Sequence, residues 1–184
     1  IETQIAEIRH LGEELFAEGA YLEAQKQFKA GRDLLVDLGR EEEANLFSEL
    51  IAAIEGLVEE RDKRLEILEN VKIEGNSIQI FEIYQEIIAI SKKLRDPDAA
   101  SFYQSELIDF FQNDLNFSDL ESYRYDLNQK AENLFKNSNF ENAAQLYEKC
   151  ETISRLFVQL GREEEIDIIE EFKRKIDDCL KTLK

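Results

Sequence analysis

The sequence predicts an all-α fold, and three observations lead to that prediction. Apolar residues recur every three or four positions along the 184 residues, and no stretch alternates with the period of two that marks a strand. Proline occurs once, at Pro97, and glycine only seven times, which favours long helices over strands and turns. The same order of apolar stripes and helix breaks also returns along the chain, which indicates an internally repeated helical unit.

The first three helices are delimited by glycines. The spacing predicts a helix over 3–18, ended by Gly19, and a second over 21–38, ended by Gly39. A third begins in the run 41–43, whose glutamates suit the positive end of a helix dipole. The apolar stripes are Ile5, Ile8, Leu11, Leu15 and Phe16 on the first helix, Ala24, Phe28, Gly31, Leu34, Leu35 and Leu38 on the second, and Leu46, Phe47, Leu50, Ile51, Ile54 and Val58 on the third.

Three further breaks are predicted. Between residues 41 and 74 only Gly56 and the charged run 59–64 interrupt the pattern, which favours a turn or sharp bend near 59–62 over one helix of about 34 residues. Pro97 excludes the preceding residues from a continuing helix. Ser118-Asp119-Leu120-Glu121 fits a capping box that opens a helix after the polar linker 113–116.

The chain repeats itself three times. Residues 38–43, Leu-Gly-Arg-Glu-Glu-Glu, return letter for letter as residues 160–165, and residues 16–31 match 135–150 at a shift of 119. A weaker match at a shift of 56 relates Gly19 to Gly75 and Phe28 to Tyr84. We therefore predict one helical-repeat domain over residues 1–184, with three copies of a three-helix unit at about 1–58, 59–115 and 118–184, or about nine helices.

The repeated residues resemble a tetratricopeptide-type helix pair. Small residues in that family let two antiparallel helices approach closely, and an aromatic residue follows the turn between them. The resemblance implies a right-handed α-solenoid of stacked helix pairs. The three-helix unit is also similar to the MIT (microtubule interacting and trafficking) bundle. The matching residues are Leu11, Gly12, Leu15, Gly19, Tyr21, Ala24, Phe28 and Gly31 in the first copy, and Ala131, Leu134, Ser138, Phe140, Ala143, Tyr147 and Cys150 in the third.

Composition and motifs argue against several functions. The chain has 41 acidic and 23 basic residues, a net charge of −18, which disfavours nucleic acid and anionic lipid as partners. The longest apolar run, 50–54, is too short to insert in a membrane. One histidine, His10, and two cysteines, Cys150 and Cys179, provide no set of metal ligands. No nucleotide-binding or nucleophile motif occurs, so we expect no enzyme activity and no cofactor.

The two cysteines indicate a compartment. Two cysteines are too few for a disulfide framework, so we expect both to be buried free thiols. Free thiols are typical of a reducing environment, and we therefore predict a cytoplasmic protein. The alternative is a disulfide bridge between Cys150 and Cys179. Because the chain begins with Ile1 rather than Met, we expect it to be a segment of a longer protein.

The predicted function is binding of a peptide or amphipathic helix of another protein. Residues 1–60 hold 15 acidic and 5 basic residues, a charge that could steer a basic partner toward them; the alternative is that these charges only keep the fold soluble. The alternative is a structural spacer or oligomerisation segment of a larger protein. If the concave face of the tetratricopeptide family carries over, the partner-binding residues are Arg9, Glu13 and Phe16 in the first copy, and Asn128, Glu132 and Phe135 in the third.

Overall fold

The structure is a computed structural model that describes residues 2–113 and 117–183. Over these residues it contains eight α-helices and no strand, which confirms the all-α prediction. The helices are α1 (Glu2–Ala17), α2 (Tyr21–Asp37), α3 (Glu41–Glu74), α4 (Ser77–Lys93), α5 (Pro97–Asn113), α6 (Phe117–Lys136), α7 (Phe140–Gln159) and α8 (Glu165–Thr182). The chain divides into two compact units: unit 1 ends at Gln104 and unit 2 begins at Ser105, within α5.

Unit 1 is built on the close approach of α1 and α2. A Cβ atom on Gly12 would lie 2.5 Å from the ring of Phe28, so only glycine fits there without displacing that ring. A Cβ atom on Gly31 would lie 3.0 Å from the ring of Phe47 on α3. Phe28 therefore packs between the two neighbouring helices, with its ring centroid 5.9 Å from that of Phe47. The buried cluster continues into α4 through Ile90 and Leu94.

Unit 2 repeats this packing in α6 and α7. The ring centroids of Phe135 and Phe140 are 5.1 Å apart, and those of their counterparts in unit 1, Phe16 and Tyr21, are 5.0 Å apart. The residues that the sequence matches to Gly12, Ala24, Phe28 and Gly31 are all buried in unit 2. They are Ala131, Ala143, Tyr147 and Cys150.

The prediction of a turn near 59–62 is wrong, and so is the count of about nine helices. Residues 41–74 form one uninterrupted helix, α3, of 34 residues. Two residues of the charged run 59–64 contact other parts of unit 1. Arg61 Nη1 donates to Asp96 Oδ2 at 3.0 Å, and Arg64 Nε lies 3.0 Å from Glu86 Oε2 on α4. The other four residues of the run are exposed on the helix surface, where Glu59 and Lys63 form an ion pair one turn apart, so a charged run is compatible with a continuous helix.

The other helix ends follow the sequence closely. Gly19 and Gly39 have the left-handed φ of 78° and 72° that a helix-ending glycine adopts. Asp96 accepts the Ala99 N–H at 3.0 Å and so caps α5, which begins at Pro97 as expected.

The predicted capping box lies at the start of α6. Helix α6 begins at Phe117, one residue before Ser118, and Glu121 accepts a hydrogen bond from Arg162. In the predicted linker 113–116, residues 114–116 lie outside the described residues.

Three leucines predicted on the buried stripes are exposed: Leu11 by 44%, Leu38 by 41% and Leu46 by 53%. The periodicity places all three correctly on the apolar side of their helices. It does not show where a neighbouring helix stops covering that side. For Leu46 the consequence is an open groove.

Candidate functional site

A groove in unit 1 lies between α1 and α3, with Leu35 of α2 at its floor. It has a volume of about 370 Å³. Apolar side chains form its base, and Leu46 leaves half its surface to solvent there. The groove is lined by Ile5, Arg9 and Glu13 of α1, Leu35 of α2, and Glu43, Leu46, Phe47, Glu49 and Leu50 of α3.

An ion-pair cluster stands at the end of this groove where α3 begins. Arg40 donates through Nε and Nη2 to the two carboxylate oxygens of Glu43, each at 2.6 Å, and through Nη1 to Glu2 at 2.5 Å. The hydrogen bonds from Arg40 lower the pKa of Glu43, and the bonds to Glu43 and Glu2 raise the pKa of Arg40. Glu43 is therefore a carboxylate at neutral pH, on the lining of the groove.

The structure places two of the three predicted residues of the first copy in this groove. Arg9 and Glu13 lie one turn apart on α1 and form an ion pair, with Nε and Oε1 2.7 Å apart. Phe16 is half-buried and packs against the rings of Tyr21 and Phe28, with ring centroids 5.0 and 6.4 Å away. Phe16 thus contributes to the packing of α1 on α2.

The three predicted residues of the third copy lie together in unit 2. The Asn128 amide donates to Glu132 at 3.2 Å, and Lys175 Nζ lies 3.1 Å from Asn128 Oδ1 and 3.5 Å from Glu132 Oε1. Lys175 therefore binds the polar pair that corresponds to Arg9 and Glu13. Phe135 lines a smaller pocket of about 220 Å³, together with Tyr147, Lys175 and Asp178.

The ion-pair cluster of Arg40, Glu43 and Glu2 was not predicted from the sequence, although unit 2 contains a corresponding cluster. Arg162 donates to Glu121, and its Nη2 lies 3.5 Å from Glu165 Oε1. These three residues match Arg40, Glu2 and Glu43. The sequence feature that could have predicted the cluster is the string repeated at 38–43 and 160–165, together with the matching glutamates Glu2 and Glu121.

One arginine distinguishes the cluster of unit 2 from that of unit 1. Arg124 Nη1 donates to the Glu165 carboxylate and to Ser154 Oγ, the latter at 2.6 Å. Its guanidinium carbon lies 5.2 Å from the centre of the Phe157 ring. Glu165 is only 1% exposed, so this is a buried carboxylate with arginine partners on two sides. The residue that corresponds to Arg124 in unit 1 is Ile5 of the groove.

The two cysteines are both buried and free, as predicted. Burial raises the pKa of Cys150 to about 12 and also raises that of Cys179. A thiol with so high a pKa is almost entirely protonated at neutral pH, and the thiolate is the nucleophile, so neither side chain is an activated nucleophile. His10 lies at the surface, as expected, with Nε2 3.3 Å from Glu14.

Among the residues that the structure describes, no three His, Cys, Asp or Glu side chains are grouped to hold a metal ion. Across the same residues, no helix has both the length and the apolar character needed to cross a membrane. No protein-family model, curated protein or solved structure matches the chain. The tetratricopeptide resemblance therefore stays a prediction from the residues.

Proposed function

We propose that the chain is a non-catalytic protein-interaction module that binds a basic amphipathic segment of a partner protein in the groove of unit 1. In the same proposal the helices belong to a right-handed tetratricopeptide-like stack of three related copies. The similar packing of α1 on α2 and of α6 on α7 supports that repeat. The single observation that carries the binding proposal is the groove itself.

The base of the groove favours an apolar face of the partner. Leu46 is 53% exposed beside the buried Phe47 and Leu35. Covering a leucine side chain fully stabilises a complex by roughly 1.5–3 kcal/mol, so an apolar residue placed here would contribute a substantial part of the affinity. A helix that presents apolar residues at i, i+3 and i+4 is a common occupant of a hydrophobic groove between helices.

The rim of the groove favours basic residues on the flanks of that segment. Glu13, Glu43 and Glu49 supply three carboxylates. Arg9 pairs with Glu13 and Arg40 pairs with Glu43, so an excess of negative charge is left at the rim. Opposite charges across an interface raise the association rate and reject acidic competitors. The proposed partner therefore combines an apolar stripe with lysine or arginine on both sides.

The test uses a defined probe, a fluorescein-labelled 18-residue peptide of Leu, Ala and Lys arranged as a basic amphipathic helix (the Lys peptide). We expect fluorescence anisotropy to show binding of the Lys peptide and none of the same peptide with Glu at every Lys position. Leu46→Asp places a charge on the apolar base and should weaken the Lys peptide by at least about tenfold. Ile73→Asp is the matched control, since Ile73 is on the same helix, 85% exposed and outside the groove.

Two results would contradict the proposal. Equal affinity of the Leu46→Asp and Ile73→Asp variants, with unchanged circular dichroism, would show that the peptide binds elsewhere. Concentration-dependent self-association in light scattering, lost in Leu46→Asp, would show that a second copy covers the groove and would favour the oligomerisation alternative.

A further inference from the structure

Unit 2 contains an internal occupant at the position that corresponds to one end of the unit 1 groove. The two ion-pair clusters match residue by residue: Glu2 with Glu121 at a shift of 119, and Arg40 with Arg162 at a shift of 122. Both arginines donate to a glutamate near the start of a helix, Glu2 of α1 or Glu121 of α6. The clusters therefore provide a common reference for comparing what surrounds them.

Next to the ion-pair cluster, unit 1 has the apolar base of the groove, whereas unit 2 has a polar network at the corresponding position. Ile5 corresponds to Arg124. Leu35 has two counterparts because α7 is 20 residues long and α2 is 17. Counted from the helix starts the counterpart is Ser154, and counted from the helix ends it is Phe157. Arg124 contacts both residues, by a hydrogen bond to one and across the ring of the other.

The glutamates of the two clusters differ in the same way. Glu165 is buried beneath Arg124, whereas the side chain of its counterpart Glu43 is 52% exposed on the groove. A carboxylate has about four acceptor positions, and Arg40 uses two of those on Glu43. Glu43 thus retains the capacity to accept a second guanidinium. Glu165 has two arginines beside it, since it accepts a hydrogen bond from Arg124 and lies 3.5 Å from Arg162.

We propose that the groove of unit 1 binds an arginine side chain of the partner segment, with its guanidinium against Glu43 and its methylenes over Ile5 and the half-exposed Leu46. The inference rests on the proposed function and specifies the residue by which the partner is anchored. Unit 2 supplies this arginine from its own chain. Unit 1, with an isoleucine at that position, takes it from the partner.

Arginine fits this position better than lysine. The guanidinium of Arg124 donates to a carboxylate and a hydroxyl while its face lies over an aromatic ring. A planar guanidinium is weakly hydrated and stacks on apolar surfaces, whereas a lysine ammonium is strongly hydrated and makes point contacts. In unit 1 the apolar surface that reaches solvent beside Glu43 is that of Leu46, so the arginine preference should persist there.

The experiment compares the Lys peptide with an Arg peptide that differs only in carrying arginine at every lysine position. We expect the wild-type chain to bind the Arg peptide at least about fivefold more tightly. Glu43→Gln removes the proposed anion and should reduce that ratio to about one. Ile5→Arg reproduces unit 2 inside unit 1, so its own side chain should occupy the groove and weaken both peptides by about tenfold or more.

The control for Ile5→Arg is Leu11→Arg, the same change at an exposed residue of α1 outside the groove, which should leave both affinities unchanged. If circular dichroism shows that Ile5→Arg is unfolded, the exposed Glu43→Gln variant still decides the question. Equal binding of the two peptides, with Leu46→Asp still weakening both, would overturn the arginine anchor and leave the proposed function standing. Failure of both peptides to bind would overturn both.

Discussion

At the scale of single residues, the distance between α1 and α2 depends on the absence of one side chain. The Gly12 Cα faces the edge of the Phe28 ring, which is fully buried and also contacts the rings of Phe16 and Phe47. Because the ring is fully buried, it can shift only by displacing the side chains packed around it, which include Phe16 and Phe47. The position therefore selects glycine against the usual helix preference for alanine.

This glycine allows a direct comparison with a second one. Gly12→Ala should lower the free energy of unfolding by about 1–3 kcal/mol because its methyl group overlaps the Phe28 ring. Gly56→Ala in α3 should raise it by about 0.5–1 kcal/mol, since no atom lies within 4 Å of the new methyl group and alanine is the better helix former. Urea unfolding followed by circular dichroism measures both. A stabilising Gly12→Ala would mean that the two helices are not in close contact.

Residue-scale features differed in how well the sequence predicted them. Gly12, Ala24 and Gly31 were predicted as small contact residues because the repeat displays them twice, and all three are buried. The role of Arg124 was not predicted, because its partners Ser154 and Glu165 are 30 and 41 positions away. Such a network depends on the rotation of α7 and α8 about their axes, and local periodicity does not define that rotation closely enough.

At the scale of elements, α3 is joined to the start of α5 by one carboxylate. The side chain of Asp96 accepts a hydrogen bond from Arg61 through one oxygen and caps α5 through the other, both at 3.0 Å. The Arg61 and Asp96 side chains are both largely buried. This contact gives Arg61 of the charged run a partner inside unit 1.

Substitution of Asp96 separates its two roles. Asp96→Ala removes the cap and leaves Arg61 without its carboxylate, so the free energy of unfolding should fall by about 1–3 kcal/mol. Asp96→Asn retains a good capping residue and should lower it by less. Asp98→Ala removes an exposed acid from the same helix turn and should change it by less than about 0.5 kcal/mol. Thermal unfolding of the three variants measures these differences, and equal losses for Asp96→Ala and Asp98→Ala would contradict the assignment.

At the scale of the whole molecule, the excess of negative charge is uneven along the sequence. Residues 1–60 have a net charge of −10 and residues 121–184 a net charge of −3. The proposed groove lies in the more acidic part. Long-range attraction should therefore speed the arrival of a basic peptide, and the carboxylates of the rim should hold it once bound.

Two charge reversals on α1 separate these effects. Glu13→Lys and Glu7→Lys change the net charge equally, but only Glu13 lines the groove. At 0.1 M salt, Glu13→Lys should weaken the Lys peptide by about three- to tenfold, and Glu7→Lys by less than about twofold. At 1 M salt, where charges are screened beyond about 3 Å, the difference between the variants should shrink. Equal effects of the two variants at low salt would show that net charge alone governs binding. Neither exposed substitution should lower the melting temperature appreciably.

The helical class and most helix ends could be predicted because apolar spacing, glycine breaks and Pro97 act locally. The continuity of α3 could not be predicted, because the partners of Arg61 and Arg64, Asp96 and Glu86, are distant in the sequence. The groove itself was not predicted either. An exposed Leu46 has the same periodic position as a buried one, and only the arrangement of α1 beside α3 distinguishes them.

The unbroken length of α3 also restricts how this chain can change in size. Each helical residue advances the side chains by about 100° around the axis, so one inserted residue between Ile54 and Leu68 would turn Leu68 and Val71 away from the neighbours that bury them. Insertions of three or four residues return the side chains to within about 60° or 40° of their original direction. Helix α7 is three residues longer than α2, which is close to one helical turn. Ala24 and Leu35 are buried on α2, and their counterparts near the two ends of α7, Ala143 and Phe157, are buried as well. Changes of length in this protein are thus expected in steps close to a helical turn.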